Sequence, residues 1–194
     1  MVKRVIAVLS FLMFVLATVS FAITLLTQEQ ALKEVFWSGA EIEKETKELT
    51  GDTLERIKER LGGSLVYTQE GSESAPVETQ TEIDFYFAKK DGERKGVAII
   101  DTEPGKWGPV EFIIAMTADN AAVKNVRVLS YTEIRGQPIA RASFMNQYRG
   151  KTSKSLLTVG KDIIPISGAT ISSRAATFTV KKAIVIYEEV YLKK

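Results

Sequence analysis

Between residues 83 and 129 the chain repeats one pattern four times: a short apolar run, rich in β-branched and aromatic residues, followed by a polar turn. Ile83, Phe85 and Phe87 alternate with Asp84 and Tyr86. Lys90-Asp91-Gly92-Glu93 is a turn sequence, and the chain returns through 96–100. A third run covers 110–116; Asp119-Asn120 then turns into 123–129, where Val123, Val126 and Val128 favour a strand. Runs this short, joined by turns, predict an antiparallel meander.

Helical patterns flank it. In 28–36, Ala31 with Val35 and Leu32 with Phe36 fall one turn apart. Asp52-Thr53-Leu54-Glu55 looks like a helix start, with Leu54, Ile57 and Leu61 on one face and Gly62-Gly63 as the stop. Glu41, Glu43, Glu45 and Glu48 alternate with lysines and read as a solvated helix face, so 28–60 is expected to be mostly helical. Residues 69–76 are polar and turn-rich, the best loop candidate. A short helix is expected over 139–148, then a strand-like run at Ile163-Ile164-Pro165-Ile166, then a long terminal helix over 172–191. The fold class is therefore α+β: a twisted antiparallel sheet with packed helices.

The N-terminus is different in kind. Lys3 and Arg4 precede an apolar run from residue 5 to 26, and Ser20-Phe21-Ala22 puts small residues where a signal peptidase cuts. The run is also long enough to span a bilayer. Residues 1–26 are read as a signal peptide or transmembrane anchor, which makes the rest exported, extracytoplasmic and membrane-associated. Setting 1–26 aside removes Lys3 and Arg4 and no acid, leaving 24 basic against 24 acidic residues. Nothing in that neutral balance favours nucleic acid as a partner. Residues 27–76 are expected to form a helical region and loop, and 77–194 a separate domain.

The 194 residues include no cysteine and no histidine. That excludes disulfides, thiolate metal sites, cysteine nucleophiles, histidine triads and His-ligated haem. Any redox chemistry would fall to an organic cofactor. A serine hydrolase is disfavoured as well, since Ser153-Lys154 and Ser155 sit together with no Ser-x-x-Lys spacing.

The chemistry-bearing stretch is Ser167-Gly168-Ala169-Thr170-Ile171-Ser172-Ser173, at the start of the terminal helix. Small residues admit a ligand close to the backbone, and a helix N-terminus attracts phosphate. The same hydroxyls also serve an ordinary N-cap, and residue types alone leave both readings open.

Ser-Gly-Ala-Thr followed by Ile-Ser-Ser resembles the flavinylation motif of the FMN-binding domain family, which includes the C subunit of the sodium-pumping NADH:quinone reductase, the G subunit of the Rnf complex and domains of nitrous-oxide-reductase regulators. Three more stretches fit in order. Gly105-Lys106-Trp107-Gly108-Pro109-Val110 resembles the turn before a central strand, with Trp107 where members often have His. Residues Tyr131-Thr132-Glu133-Ile134-Arg135-Gly136 resemble the loop that reaches the isoalloxazine ring. Phe144-Met145-Asn146-Gln147-Tyr148-Arg149-Gly150-Lys151 resembles a helix end that follows it. The resemblance covers about 83–190. One departure stands out: members usually carry an Asp three or four residues before the motif, where this chain has Ile164 and Ile163, with Asp162 the nearest acid.

The resemblance implies an FMN joined through its phosphate to Thr170 by a flavin transferase, on the rim of the sheet beside the last helix. It implies Ser167, Gly168, Ala169, Ser172 and Ser173 around the attachment, and Trp107, Glu133, Arg135 and Gly136 toward the ring, with Arg135 stabilising the reduced flavin. The expected role is an electron carrier or subunit rather than a complete enzyme, relaying electrons between a membrane redox complex and an extracytoplasmic partner. The alternative is an exported, non-redox binding module with the same fold and no flavin.

Overall fold

The computed structural model describes residues 22–132 and 137–193. At the centre of the described residues is a six-stranded antiparallel sheet in the order β1-β6-β5-β4-β3-β2. The strands are β1 (Ile23–Thr24), β2 (Glu41–Glu48), β3 (Glu82–Lys90), β4 (Glu93–Pro104), β5 (Pro109–Thr117) and β6 (Val123–Tyr131). The expected meander is β3 to β6, and the helices are α1 (Gln28–Val35), α2 (Gly51–Leu61), α3 (Ala142–Met145) and α4 (Thr170–Tyr187). The apolar N-terminal segment lies, up to residue 21, outside the described residues, and no described helix is long and apolar enough to cross a membrane.

The near-continuous apolar character of the strands has a plain cause: both faces of the sheet are covered. One face carries Phe85, Phe87, Val97, Ile99, Phe112 and Ile114 against Ala176, Val180 and Ile184 of α4 and Ile57 of α2. The other carries Tyr86, Ala98, Ile113, Ala115 and Leu129 against Ala31 and Val35 of α1. Full burial of each large side chain contributes roughly 1.5–3 kcal/mol.

Local chemistry sets the helix ends. Thr27 and Gln30 form a reciprocal capping box at the start of α1, and Gly62, at φ 88°, closes α2. In α4 the buried hydroxyls of Ser173, Thr177 and Thr179 donate to the carbonyls of Ala169, Ser173 and Ala175, four residues back. That is how a helix holding so many polar residues is buried on most sides.

Two expectations are corrected. Residues 41–48 are not a helix face but the edge strand β2, paired along its full length with β3 from Glu41↔Lys89 to Glu48↔Glu82. Glu and Lys are good helix formers, but the open edge of β3 and cross-strand ion pairs of Glu43 with Lys89 and Arg94 decide the outcome. Residues 163–166 are not a strand either. They make one isolated bridge, Val159↔Ile163, and Pro165 has no N–H to extend it.

After α4 comes a π-turn, Glu188–Leu192, that binds α2 through charge. The buried Glu189 carboxylate receives Arg56 Nε at 3.0 Å, Arg60 Nη1 at 2.8 Å and Lys193 Nζ at 2.6 Å. Burial pushes this carboxyl up, but the bonds from Lys193, Arg56 and Arg60 outweigh it and hold it at about 2. Glu189→Gln is expected to lose about 2–3 kcal/mol at pH 7. A depressed pKa stabilises above the ordinary carboxyl range, so the gap between variant and parent should close as pH falls from about 4.5 toward 2. Urea unfolding at several pH values checks this; a gap independent of pH rejects the electrostatic origin.

Candidate functional site

The β4–β5 hairpin ends in Gly105-Lys106-Trp107-Gly108, closed by the Gly105 N–H to the Gly108 carbonyl at 2.9 Å. The Lys106 ammonium lies 4.5 Å above the Trp107 ring. Thr132, the last described residue before 133–136, folds onto this turn and donates its N–H to the Pro109 carbonyl at 3.2 Å. The approach is so close that a Cβ on Gly108 would sit 1.9 Å from Thr132 Oγ1. Gly108→Ala should therefore cost about 1–3 kcal/mol, read as a lowered urea midpoint. An unchanged midpoint would show that Thr132 moves aside freely.

Opposite the hairpin is the start of α4. Gly168 adopts φ +76°, a conformation that non-glycine residues disfavour, and turns the chain into the helix. Ala169 is the N-cap and provides no side-chain cap, so the capping role that residue types leave open is not filled at that position. The first-turn N–H groups of a helix have no intrahelical acceptor, and this end attracts an anion. Ser173 instead accepts the Ile166 N–H at 3.1 Å and donates to the Ala169 carbonyl at 2.8 Å, fixing the entry loop. Thr170, the first helical residue, is exposed.

Hairpin and helix start enclose a pocket of about 220 Å³, lined by Lys106, Trp107, Gly168, Ala169, Thr170, Ile171 and Ser172. Pockets for drug-sized ligands run to roughly 300–1,000 Å³, so this one suits the phosphate end of a larger molecule. One wall carries a cation and the other the positive end of a helix.

The Phe144–Lys151 stretch acts as a clamp on the entry loop. Gln147 accepts the Ile164 N–H at 2.8 Å and donates to the Ile164 carbonyl at 3.1 Å. Lys151 reaches Asp162 Oδ2 at 2.8 Å, and the same carboxylate accepts the N–H groups of Leu157 and Thr158. Burial raises the Asp162 carboxyl, but Lys151 and the two N–H bonds leave it lowered overall. The Tyr148 and Thr177 hydroxyls share a buried hydrogen bond of 2.9 Å that joins the clamp to α4. A strap over 64–77 braces the hairpin from the other side: Ser72 Oγ donates to the Gly105 carbonyl at 2.6 Å and the Glu73 N–H to that of Lys106 at 2.6 Å.

The structure thus brings Trp107, Gly168, Ala169, Thr170 and Ser172 together around one pocket, while the Ser173 hydroxyl turns into the backbone and Ser167 lies exposed beside it. Glu133, Arg135 and Gly136 lie outside the described residues. Lys106 and Ile171 also line the pocket, and sequence reasoning assigns neither to it. The one signal for Lys106 is its place in the Gly-Lys-Trp-Gly turn. Among the described residues no group of three or more His, Cys, Asp or Glu is arranged for a metal ion.

Residues 105–185, from the hairpin turn to near the end of α4, match the FMN-binding domain. This stretch is similar to the FMN-binding domain family. Over 108 residues the chain is 29% identical to the G subunit of the proton-translocating ferredoxin:NAD(+) oxidoreductase complex of Clostridium ljungdahlii. That alignment covers 52% of this chain and 58% of the relative, so less than two thirds of the relative's length is spanned. The crystal structure of Shewanella oneidensis NqrC superposes with a TM-score of 0.51 over 78% of this chain and 85% of that one. At 13% identity this likeness concerns the fold, the sheet and helices described above.

Proposed function

We propose that this chain is a flavoprotein subunit of a membrane electron-transfer assembly, with FMN esterified through its phosphate to Thr170. In this reading 1–26 export or anchor the chain, 77–194 form the flavin domain and the carrier works outside the cytoplasm. The observation that carries it is the exposed Thr170 at a helix N-terminus without a side-chain cap, across a small pocket from Lys106.

The residues fit the group. The α4 N-terminus and Lys106 would hold the phosphate, Gly168 and Ala169 leave room for it, and Trp107 would flank what extends outward. Glu133, Arg135 and Gly136 are assigned to the ring side by the family resemblance. When bound, FMN supplies the electron-accepting and electron-donating chemistry. The chain's residues position it, and the Gln147 and Lys151 clamp keeps Thr170 presented to a flavin transferase. An ester bond removes dissociation, which matters for a cofactor that cannot readily be replaced outside the cytoplasm.

The test is expression with the export segment beside an active flavin transferase, followed by intact mass and in-gel fluorescence after denaturation. A fluorescent band heavier by FMN minus water supports the reading. One observation favours the non-flavin module: Ile164, where the family carries an acid, is 75% exposed, and Asp162 is held away by Lys151 and backbone N–H groups. A colourless chain of unmodified mass decides for that alternative.

A further inference from the structure

At the base of the hairpin lies a charged cluster that takes no part in lining the pocket. Lys182 of α4 is buried, and its ammonium donates to the Leu65 carbonyl at 2.8 Å and to Glu103 Oε1. Its third neighbour is Asp101 Oδ2, at 2.6 Å. That oxygen is out of solvent and accepts no well-directed hydrogen bond. Glu103 Oε2 accepts the Tyr67 N–H at 2.7 Å, and the Glu103 and Asp101 carboxylates meet the same Lys182 ammonium. Two carboxyl groups thus share one ammonium. Fully ionised, the cluster would bury an uncompensated negative charge, which is costly in a weakly polarisable interior.

The neighbours do not relieve it. The β3–β4 ladder ends at Phe85↔Ile99, so the 100–104 part of β4 pairs only with β5, where Phe112 and Val110 stand opposite Asp101 and Glu103. The strap contributes the Tyr67 N–H and the Leu65 carbonyl. From α4, Phe178 presents its ring 5.9 Å from the Lys182 ammonium, and Arg174 acts on the Tyr67 hydroxyl. The charged groups acting on Glu103 are Lys182 and Asp101.

We propose that Asp101 and Glu103 form a proton-binding site, holding one exchangeable proton between them and gaining it when negative charge develops on a group anchored at the neighbouring pocket. The first half stands on the cluster alone; the second rests on the flavin reading above. Burial pushes both carboxyls up against the attraction of Lys182, with Glu103 reaching about 7, so the site exchanges its proton in the neutral range. Glu103 is three residues before Lys106 in the pocket wall, a chain reach of at most ~10 Å. The strap touches both, through Tyr67 at one end and Glu73 at the other. The carboxyl pair is itself buried, so solvent ions screen it incompletely from the pocket. Were an external one-electron donor to deliver an electron to the group anchored there, the carboxylate pair would take up one proton from solvent, and no other bond would change.

The experiment has two readouts on the full chain. Carbon-13 carboxyl NMR of the flavin-free protein, labelled at Asp and Glu, should show a titration centred near pH 7 that Glu103→Gln abolishes; Asp101→Asn serves if that variant does not fold. Carboxyls that all finish titrating below pH 5.5 overturn the site. In the flavinylated protein, the midpoint potential should fall more steeply between pH 6 and 8 in the parent than in Glu103→Gln. Identical slopes overturn the coupling. A chain that takes no flavin defeats the preceding reading and the coupling with it, while the NMR titration still decides the proton site.

Discussion

Thr170→Ala is expected to abolish covalent flavin completely, with no loss of fold. The threonine is exposed at the first position of α4, so its removal opens no cavity. Alanine is the better helix former, by roughly half a kcal/mol, and the entry loop is held by Ser173, Gln147 and Asp162 rather than by Thr170. Intact mass should therefore show only the unmodified chain, while the thermal midpoint stays within about a degree or two or rises slightly. Noncovalent yellow colour that washes out on denaturation is compatible with this result. An adduct that survives in the variant would move the attachment to another hydroxyl, with Ser167 and Ser172 the nearest to test.

Lys182→Met is expected to be the most damaging single change to stability. It removes the cation from two buried carboxyls, and breaking a buried pair from one side costs about 3–5 kcal/mol. The pH dependence identifies the cause. Because both carboxyls are raised, the folded state binds protons more tightly than the unfolded chain, so stability falls as pH rises through the neutral range. The Lys182→Met defect should be largest at pH 8 and shrink toward pH 5.5, where the carboxyls become neutral. Glu103→Gln should do the opposite, leaving Lys182 paired with Asp101 and costing little at pH 8. Urea midpoints at the two pH values decide it; an equal Lys182→Met loss at both would reduce the lysine to packing.

These acids also show where sequence reading runs out. The β3–β6 meander is legible because alternation and β-branched residues are local signals, and α1 and α2 are legible through their apolar spacing and their stops. Strand β4 reads only to Ile100, because Asp101-Thr102-Glu103 looks like a polar exit until a lysine from the last helix is seen to meet it. The same limit hides β2: Glu41, Glu43 and Glu45 carry the two-residue period, but only pairing with β3 selects it over the helix their composition favours. At the site, the small and hydroxyl residues from Ser167 to Ser173 announce themselves. The strap does not, since it grips the hairpin through the Gly105 and Lys106 carbonyls, which carry no side-chain identity.

Strand β2 has one more consequence, for life in a crowded compartment. It borders the sheet for eight residues, a length that would ordinarily invite a second chain to continue the ladder. Six of the eight side chains are charged, and Glu41, Glu43 and Glu45 repeat one sign on one side of the strand. A self-complementary seam would strip these charged side chains, and the ion pairs that Glu43 and Glu45 make, of water. That desolvation cost disfavours continuation of the ladder by a copy of the strand.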